Sequence, residues 1–393
     1  MEKSNSFIKQ ALNSLVIFKN LRYDAALHSL CLAFDENGES LKHYSDFINI
    51  IINYNLNLTD YIREKVFSDE NILTDLISKR KDTSFLLDQT TKELNVLYKI
   101  STLSKSDFSK EIQDNFLLFP TKSNDFTDEY FERIKNINKI GFGIFCNNNV
   151  FEANEDGELL PVESFNIRPL SKMYDYARER EKILENTKAL INGNPCCNVL
   201  LYGDAGTGKS SSIKAIANEF FKDGLRLIEL NKSQISLIPK IVEKVANNPL
   251  KFIIFIDDVT LNQEDSAFCA LKTILDGDSK GISDNIAVYV TSNHRHLIKE
   301  TKSERDSDSI HATDNIQGIL GLAARFGLTV TFLRPDKNVY CDIVLSMAKE
   351  KGIVCDEEKL LIRAEAFATR NGGRTPRCAK QFIDLLYSGV EKI

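Results

Sequence analysis

The sequence has no pair of cysteines at the spacing that a metal knuckle or a redox motif requires. Its eight cysteines are scattered along the chain, and the one adjacent pair, Cys196 and Cys197, is too close for an ordinary disulfide without strain. We therefore predict that the cysteines are reduced, mostly buried and not part of a metal site.

An excess of positive charge is also missing. The 50 lysines and arginines are outnumbered by 56 aspartates and glutamates, which gives a formal net charge of −6. Proteins that bind nucleic acid non-specifically usually carry a basic surface, so the net charge does not support such a partner. Binding to nucleic acid stays open only through a local basic patch.

Long apolar runs are absent as well. Residues 1–20 are interrupted by lysine, glutamine and asparagine, so they have neither the apolar core of a signal peptide nor the length of a membrane span. The run 47–54 is short and contains asparagine, which favours a buried helix over a membrane segment. We expect a cytoplasmic protein with no membrane association.

The chain is long enough for two or three domains with full cores: it has 393 residues, of which 42% are hydrophobic. Residues 1–140 are almost free of glycine and proline and have apolar residues at helical spacing, which predicts a helical N-terminal domain. Residues 141–164 have short apolar runs and turn signals, which indicate a linker or a small β element. Residues 165–334 and 335–393 follow as a core and a helical unit.

Residues 165–334 alternate between strand-like and helical stretches, which is typical of a parallel sheet covered on both faces. The predicted fold is therefore α/β, with five parallel strands. The predicted strands are 198–202, 225–230, 251–256, 286–292 and 328–333, and the predicted helices of the last unit are 339–351, 356–370 and 375–391.

A glycine-rich loop follows the first of these strands and precedes a helical stretch. In such a P-loop, backbone N–H groups surround phosphate oxygens at the positive end of the helix dipole. Lys209 is expected to reach the β and γ phosphates, and the Ser210 hydroxyl to bind Mg²⁺. The predicted nucleotide-binding residues here are Gly203, Asp204, Ala205, Gly206, Thr207, Gly208, Lys209, Ser210 and Ser211.

Two acids, Asp257 and Asp258, directly follow the apolar central strand. A P-loop NTPase needs one carboxylate there for the Mg²⁺ shell and often a second to polarise water. We assign Asp257 to the metal and Asp258 to the general base. Asn293 ends the next strand and is a candidate for orienting the attacking water, although asparagine at such a position is also a common turn or cap residue.

Two arginines are candidates for contacts with the phosphates. Arg325 ends a predicted helix, where it could complement the helix dipole or project towards the γ-phosphate of a neighbouring subunit. Arg377 follows the predicted helix start Thr375-Pro376 and would face the nucleotide, with Arg374 as its competitor. His294 and His296 lack partner carboxylates, so we predict no metal site there.

These motifs together resemble the AAA+ ATPases in order and spacing over about residues 165–393. The motifs are 203–210, 257–258, 291–293, 324–327 and 375–377. Within that superfamily, the chain resembles the bacterial family of ATP-binding proteins catalogued as domain of unknown function 815. The stretches that carry this second resemblance are 198–204, 224–230, 270–277, 292–298 and 379–384.

The resemblance implies an AAA+ P-loop NTPase: a five-stranded αβα sandwich with a C-terminal helical lid, ATP and Mg²⁺ bound between them, and assembly into a homo-oligomer. It implies that Arg325 acts in trans, that Asn293 is the first sensor and that Arg377 is the second. Asp258 departs from the pattern, because most AAA+ motors have glutamate there. The Asp-Asp pair also resembles the helicase-loader and transposition-helper clade.

Two functions follow as hypotheses. The first is an ATPase that hydrolyses ATP with Mg²⁺ to remodel a protein partner, which residues 1–140 would engage. The alternative is a nucleotide-dependent switch or helicase-loader-like protein with weak hydrolysis, acting at DNA. The short Asp258 side chain and the polar segment 299–315 motivate the alternative.

Overall fold

The structure is a computed structural model. It describes residues 2–34, 39–54, 57–115, 121–162, 167–259, 266–276, 283–293 and 324–391. The polar segment 299–315, the histidines at 294 and 296 and the first part of the predicted helix 316–327 lie outside the described residues.

The chain divides into two compact units, residues 1–147 with 247–249 and residues 148–246 with 250–393. The first unit is helical. Its helices are α1 (Glu2–Ser14), α2 (Ala25–Ala33), α3 (Ser40–Asn53), α4 (Leu58–Ser68), α5 (Ile72–Ser78), α6 (Leu87–Ser101), α7 (Lys110–Asn115), α8 (Thr127–Lys135) and α9 (Ile137–Ile140). Leucine, isoleucine and aromatic side chains from these helices form one buried core.

The second unit contains a sheet that has seven strands over the described residues. The strands are β1 (Val150–Ala153), β2 (Leu159–Pro161), β3 (Val199–Gly203), β4 (Leu225–Leu230), β5 (Lys251–Ile256), β6 (Ile286–Ser292) and β7 (Leu328–Phe332). Their order is β2-β1-β4-β5-β6-β3-β7. Neighbouring strands are parallel except for β1 and β2, which pair antiparallel.

The predicted count of five strands is corrected by this sheet. The five predicted strands agree with β3 to β7 within one residue at each end, and β1 and β2 add two more beside β4. Val150 pairs with Leu227 and buries its side chain, so the segment 150–161 extends the main sheet. Strands of three and four residues carry too little pattern for their sheet to be inferred from sequence.

The second unit also contains seven α-helices over the described residues: four lie between its strands in the chain, and three follow the last strand. They are α10 (Ala177–Ile191), α11 (Lys209–Glu219), α12 (Ile238–Val245) and α13 (Ser266–Asp276), then α14 (Lys337–Glu350), α15 (Glu357–Arg370) and α16 (Pro376–Tyr387). The last three share a core of their own and form the helical lid. As expected, Thr375 caps α16: its side chain accepts from the N–H of Cys378 at 3.1 Å, with Pro376 in the first turn.

The strand order determines which side chains meet. β6 lies between β3, which precedes the P-loop, and β5, which precedes the two aspartates. The carboxyl ends of these parallel strands share one edge of the sheet, so Asn293 lies between Lys209 and Asp258.

The cysteines differ from the prediction in their burial. None of the eight forms a disulfide, but only Cys146 and Cys378 are buried; four are half-buried, and Cys197 and Cys269 are exposed. The expectation that most are buried was therefore wrong. It rested on the average behaviour of free cysteine, which local packing overrides at six positions.

Candidate nucleotide-binding site

The loop between β3 and α11 has the backbone of a phosphate-binding turn. Gly206 and Gly208 have φ values of 79° and 96°, a region that side-chain-bearing residues rarely adopt. Thr207 is buried and donates its hydroxyl to the carbonyl of Asp204 at 2.8 Å, while Ala205 is exposed. The loop thus places consecutive N–H groups at the start of α11.

Lys209 is the first residue of α11 and is only 6% exposed. Its ammonium donates to the carbonyls of Gly203 (2.9 Å) and Asp204 (2.8 Å) and to Oδ1 of Asn293 (2.8 Å). Burial lowers the pKa of this ammonium, and the nearby carboxylates of Asp258 and Asp204 oppose the shift. Three oxygen atoms thus accept hydrogen bonds from the Lys209 ammonium and hold it at the carboxyl ends of the strands.

Ser210 and Asp257 lie against one another. The Ser210 hydroxyl donates to Oδ1 of Asp257 at 2.5 Å, and the Thr291 hydroxyl donates to the same oxygen at 2.5 Å. Thr291 is 1% exposed, and its oxygen also accepts from the N–H of Asp258 at 2.8 Å. Thr291 lies in one of the sequence motifs without an assigned role; in the structure its hydroxyl contacts the carboxylate of Asp257 and the backbone of Asp258.

Asp258 and Asn293 form a second contact beside the first. The amide nitrogen of Asn293 donates to Oδ1 of Asp258 at 2.5 Å, while the amide oxygen accepts from Lys209. Asp258 has a φ of 49°, in the left-handed region that aspartate tolerates better than most residues. Asn293 thus links the lysine of the P-loop to the second aspartate.

The P-loop opens into a cleft of about 500 Å³ within the second unit. One end is polar and cationic; it is lined by Gly206, Thr207, Gly208, Ser211, Lys214, Arg377 and Lys380. The other end carries apolar and aromatic side chains together with two arginines, from the segment before α10 and from the lid. Its lining residues are Ile167, Arg168, Met173, Tyr174, Arg180 and Met347. A cleft with these two ends suits a ligand with a phosphate tail and a flat base.

Of the two competing arginines, Arg377 is the one that lines the cleft. Its backbone N–H donates to the carbonyl of Gly206 at 3.2 Å, which joins the start of α16 to the P-loop. Arg374 instead pairs with Glu365 through two nitrogens, at 2.9 Å each. The structure therefore separates the alternatives that the sequence left open.

Arg325 is not brought to this cleft within its own chain. It precedes β7, whose first residue Leu328 pairs with Val199 at the amino end of β3, whereas Phe332 pairs with Gly203 at the P-loop end. At about 3.3 Å per residue, roughly 13 Å of strand separates the two ends. Arg325 is half-buried at the edge of the sheet away from the P-loop.

Arg334 is a further residue that the sequence did not single out. Its Nε lies 3.1 Å from Oδ1 of Asp204, and its backbone N–H donates to Oδ2 at 3.1 Å. A Cβ on Gly373 would lie 2.6 Å from the same guanidinium. Arg334 thus packs between the P-loop and the turn that precedes α16. No sequence spacing marks it, because its partner lies 130 residues earlier in the chain.

The oxygen atoms of this site suit Mg²⁺ with a nucleotide. The described residues contain no cluster of three or more histidine, cysteine, aspartate or glutamate side chains that would hold a metal by itself. Mg²⁺ usually takes one or two protein oxygens and completes its shell with water and substrate phosphates, which the hydroxyl of Ser210 and the carboxylate of Asp257 fit. Among the described helices, none has the length and apolar character needed to cross a membrane.

A P-loop between β3 and α11, paired aspartates after β5 and a helical lid define an α/β protein of the AAA+ P-loop class. The profile of the family described as "Protein of unknown function (DUF815)" matches residues 146–390, more than half of the chain. The chain belongs to this family.

Other similarities cover less of the chain. Human replication factor C subunit 4 is 38% identical over 79 residues, which are 19% of this chain and 22% of that protein. A variant of Thermotoga maritima RuvB has a TM-score of 0.39 and 15% identity, over 56% of this chain and 64% of that one. The Aeropyrum pernix ORC1 protein in complex with DNA has a TM-score of 0.40 and 16% identity, over 55% of this chain and 59% of that one. The chain thus spans less than two thirds of each of these proteins.

Proposed function

We propose that the chain is a Mg²⁺-dependent ATPase whose active site is completed by a second copy of the chain. The observation that carries the proposal is the pair of linked contacts at the sheet edge, Ser210 with Asp257 and Lys209 with Asn293 and Asp258. These contacts place a hydroxyl, two carboxylates, an amide and an ammonium around the start of α11. They are the group types that phosphoryl transfer requires.

In this proposal each residue has one task. The N–H groups from Gly206 to Ser210 and the Lys209 ammonium bind the phosphates, with Arg377 beside them from the lid. Ser210 and Asp257 hold Mg²⁺, which neutralises charge on the phosphates when bound. Asp258 accepts a proton from the attacking water, and Asn293 orients that water. The water oxygen bonds to the γ-phosphorus as the bond to the bridging oxygen breaks and ADP leaves.

Arg325 enters the proposal as a residue that acts on the neighbouring subunit. Its position at the amino ends of β3 and β7 supports this, because an arginine there cannot easily serve the nucleotide of its own chain. A positive charge on the γ-phosphate stabilises the transition state more than the ground state, so its loss affects turnover rather than binding. The predicted homo-oligomer follows from the same argument.

The helical unit is the proposed binding region for a protein partner. Its core is separate from that of the nucleotide-binding unit, and the predicted catalytic residues are all in the second unit. We therefore propose residues 1–140 as the recognition domain, with residues 165–334 as the ATPase core and 335–393 as its lid.

A second candidate is a nucleotide-dependent switch with weak hydrolysis, acting at DNA. The observation that favours it is the 2.5 Å contact between Asp258 and Asn293, which fixes the carboxylate of a side chain one methylene shorter than glutamate. A short, restrained base would activate water poorly.

Substitutions of Asp258 test both candidates. Asp258→Asn should lower phosphate release from Mg²⁺-ATP by about 100-fold or more while ATP still binds, since an amide cannot accept the proton. The matched control is Asp156→Asn, an exposed turn residue outside the cleft. Asp258→Glu should raise the rate if the short side chain limits it. ATP binding without turnover in the wild type would favour the switch, and no ATP binding would contradict both candidates.

A further inference from the structure

A three-residue contact beside the cleft joins the segment before α10 to the lid helix α14. Arg168 and Tyr174 line the cleft from the segment before α10. Glu350 is the last residue of the lid helix α14, one turn after Met347, which also lines the cleft. Arg168 and Tyr174 precede Glu350 by 182 and 176 positions in the sequence, so no local motif predicts their contact.

All three side chains meet at one carboxylate oxygen. A terminal nitrogen of Arg168 donates to Oε2 of Glu350 at 2.5 Å and to the Tyr174 hydroxyl at 2.7 Å. The Tyr174 hydroxyl donates to the same Oε2. The carboxylate therefore receives two donors from the segment before α10.

Arg168 is itself held in place by its own segment. Its Nε donates to the carbonyl of Lys172 at 2.5 Å, and its guanidinium carbon lies 4.4 Å from the centre of the Tyr174 ring. The arginine is thus stacked and hydrogen-bonded before it reaches Glu350, so little side-chain freedom is lost on forming the contact. Because the guanidinium is fixed, it can pair with Glu350 only when the lid helix lies close to it.

The contact is too exposed to act mainly through stability. The side chains of Arg168 and Glu350 are 33% and 45% exposed, and exposed ion pairs contribute little to the stability of a fold. Its location is more informative, because it connects the segment that carries Tyr174 to the lid helix that carries Met347, and both residues line the cleft. Any separation of this segment from α14 breaks the contacts of Glu350 with both partners.

We propose that Arg168, Tyr174 and Glu350 form a latch that holds the lid against the base end of the cleft and sets how quickly bound nucleotide leaves. Glu350 is the positioning residue of this latch, since it acts through the lid and not on the phosphates. The inference rests on the proposed function, because it assumes that the cleft binds a nucleotide whose base lies at the apolar end.

The test is the dissociation rate of N-methylanthraniloyl-ADP, measured by stopped-flow fluorescence on the full chain with excess unlabelled ADP. Glu350→Gln keeps the size of the side chain and removes its charge, so dissociation should be about 3- to 10-fold faster. Asp342→Asn, an exposed carboxylate on the same helix, should leave the rate unchanged. Raising the salt concentration should speed release from the wild type more than from Glu350→Gln, because salt screens the phosphate contacts in both proteins but the ion pair in the wild type alone.

Charge reversal separates a latch from a merely structural role. Arg168→Glu and Glu350→Arg should each speed release, and the double variant should restore slow release at least in part. Equal rates for the wild type and Glu350→Gln would overturn the latch while leaving the proposed function intact. Failure of the wild type to bind the nucleotide analogue, ATP or ADP would overturn the proposed function and the latch with it.

Discussion

The two ends of the cleft are built in different ways. Beside the P-loop, at what we call the phosphate end, polar groups of different motifs are paired: Ser210 with Asp257, and Lys209 with Asn293. At the base end, Arg168 and Tyr174 reach across to Glu350, which belongs to no motif. The first end is determined by where parallel strands stop, and the second by how the lid packs.

This difference shows which functional residues a sequence can reveal. Strand ends are predictable from apolar runs, and in the proposed function the residues that follow them must all reach the same phosphates, which constrains their order. Contacts that depend on the placement of a lid helix have no such constraint. Substitutions at the two ends should therefore differ in size and in the ligand group that they affect.

The largest effect on ligand binding is expected at Lys209. Lys209→Ala should weaken ATP binding at least about 100-fold, because hydrogen bonds to charged groups contribute about 1.5–3 kcal/mol each. Inorganic tripolyphosphate, which has no base, should lose its competition with ATP in the same way. Isothermal titration calorimetry measures both ligands.

The matched control is Lys222→Ala, an exposed lysine just after α11, which should bind both ligands like the wild type. Retained ATP affinity in the Lys209 variant would show that the P-loop does not bind the phosphates, which would contradict the proposed site.

A smaller effect is expected at Thr291, whose hydroxyl contacts both aspartates at the phosphate end. Thr291→Val removes the donor to Asp257 and the acceptor for the N–H of Asp258, and it should lower the free energy of unfolding by about 1–3 kcal/mol. We expect Mg²⁺-dependent ATP binding to weaken as well, because both aspartates lose their orientation. Chemical denaturation and Mg²⁺ titration measure the two effects. Thr291→Ser keeps the hydroxyl and should restore Mg²⁺ dependence; an unchanged Thr291→Val would mean that the aspartates are positioned by the backbone alone.

The smallest effect is expected at Ile167, at the base end. Ile167→Ala removes part of an apolar wall, which corresponds to about 1 kcal/mol and a roughly 5-fold weaker ATP affinity. Tripolyphosphate should bind as it does to the wild type, since it has no group at this end. An equal loss of affinity for ATP and for tripolyphosphate would show that the two ends of the cleft do not bind separate parts of the ligand.

Much of the phosphate end was predictable, and most of the base end was not. The five strands from β3 to β7 were placed within one residue, and Lys209, Ser210, Asp257, Asp258 and Asn293 meet as the strand order requires. The choice between Arg374 and Arg377 needed the structure, because it depends on Glu365 being within reach of the former.

The place of β1 and β2 in the sheet could not be predicted from the sequence, and neither could the contact of Arg334 with the P-loop. β1 and β2 are too short for their sheet to be inferred, since residues 150–161 could equally form a separate hairpin. Arg334 was overlooked because its partner Asp204 is distant in sequence and is itself part of the glycine loop. Both cases involve contacts between segments whose separation in the chain has no fixed value.

The central claim is that one chain's site is completed by another, and ATP turnover per chain against protein concentration tests it most directly. With Mg²⁺ and no partner, turnover per chain should rise from well below to well above micromolar concentration and then saturate. Arg325→Ala should lower the plateau about 1,000-fold without loss of binding, and mixing it with Asp258→Asn should restore activity. Turnover that is constant per chain at every concentration, with no recovery on mixing, would contradict the account.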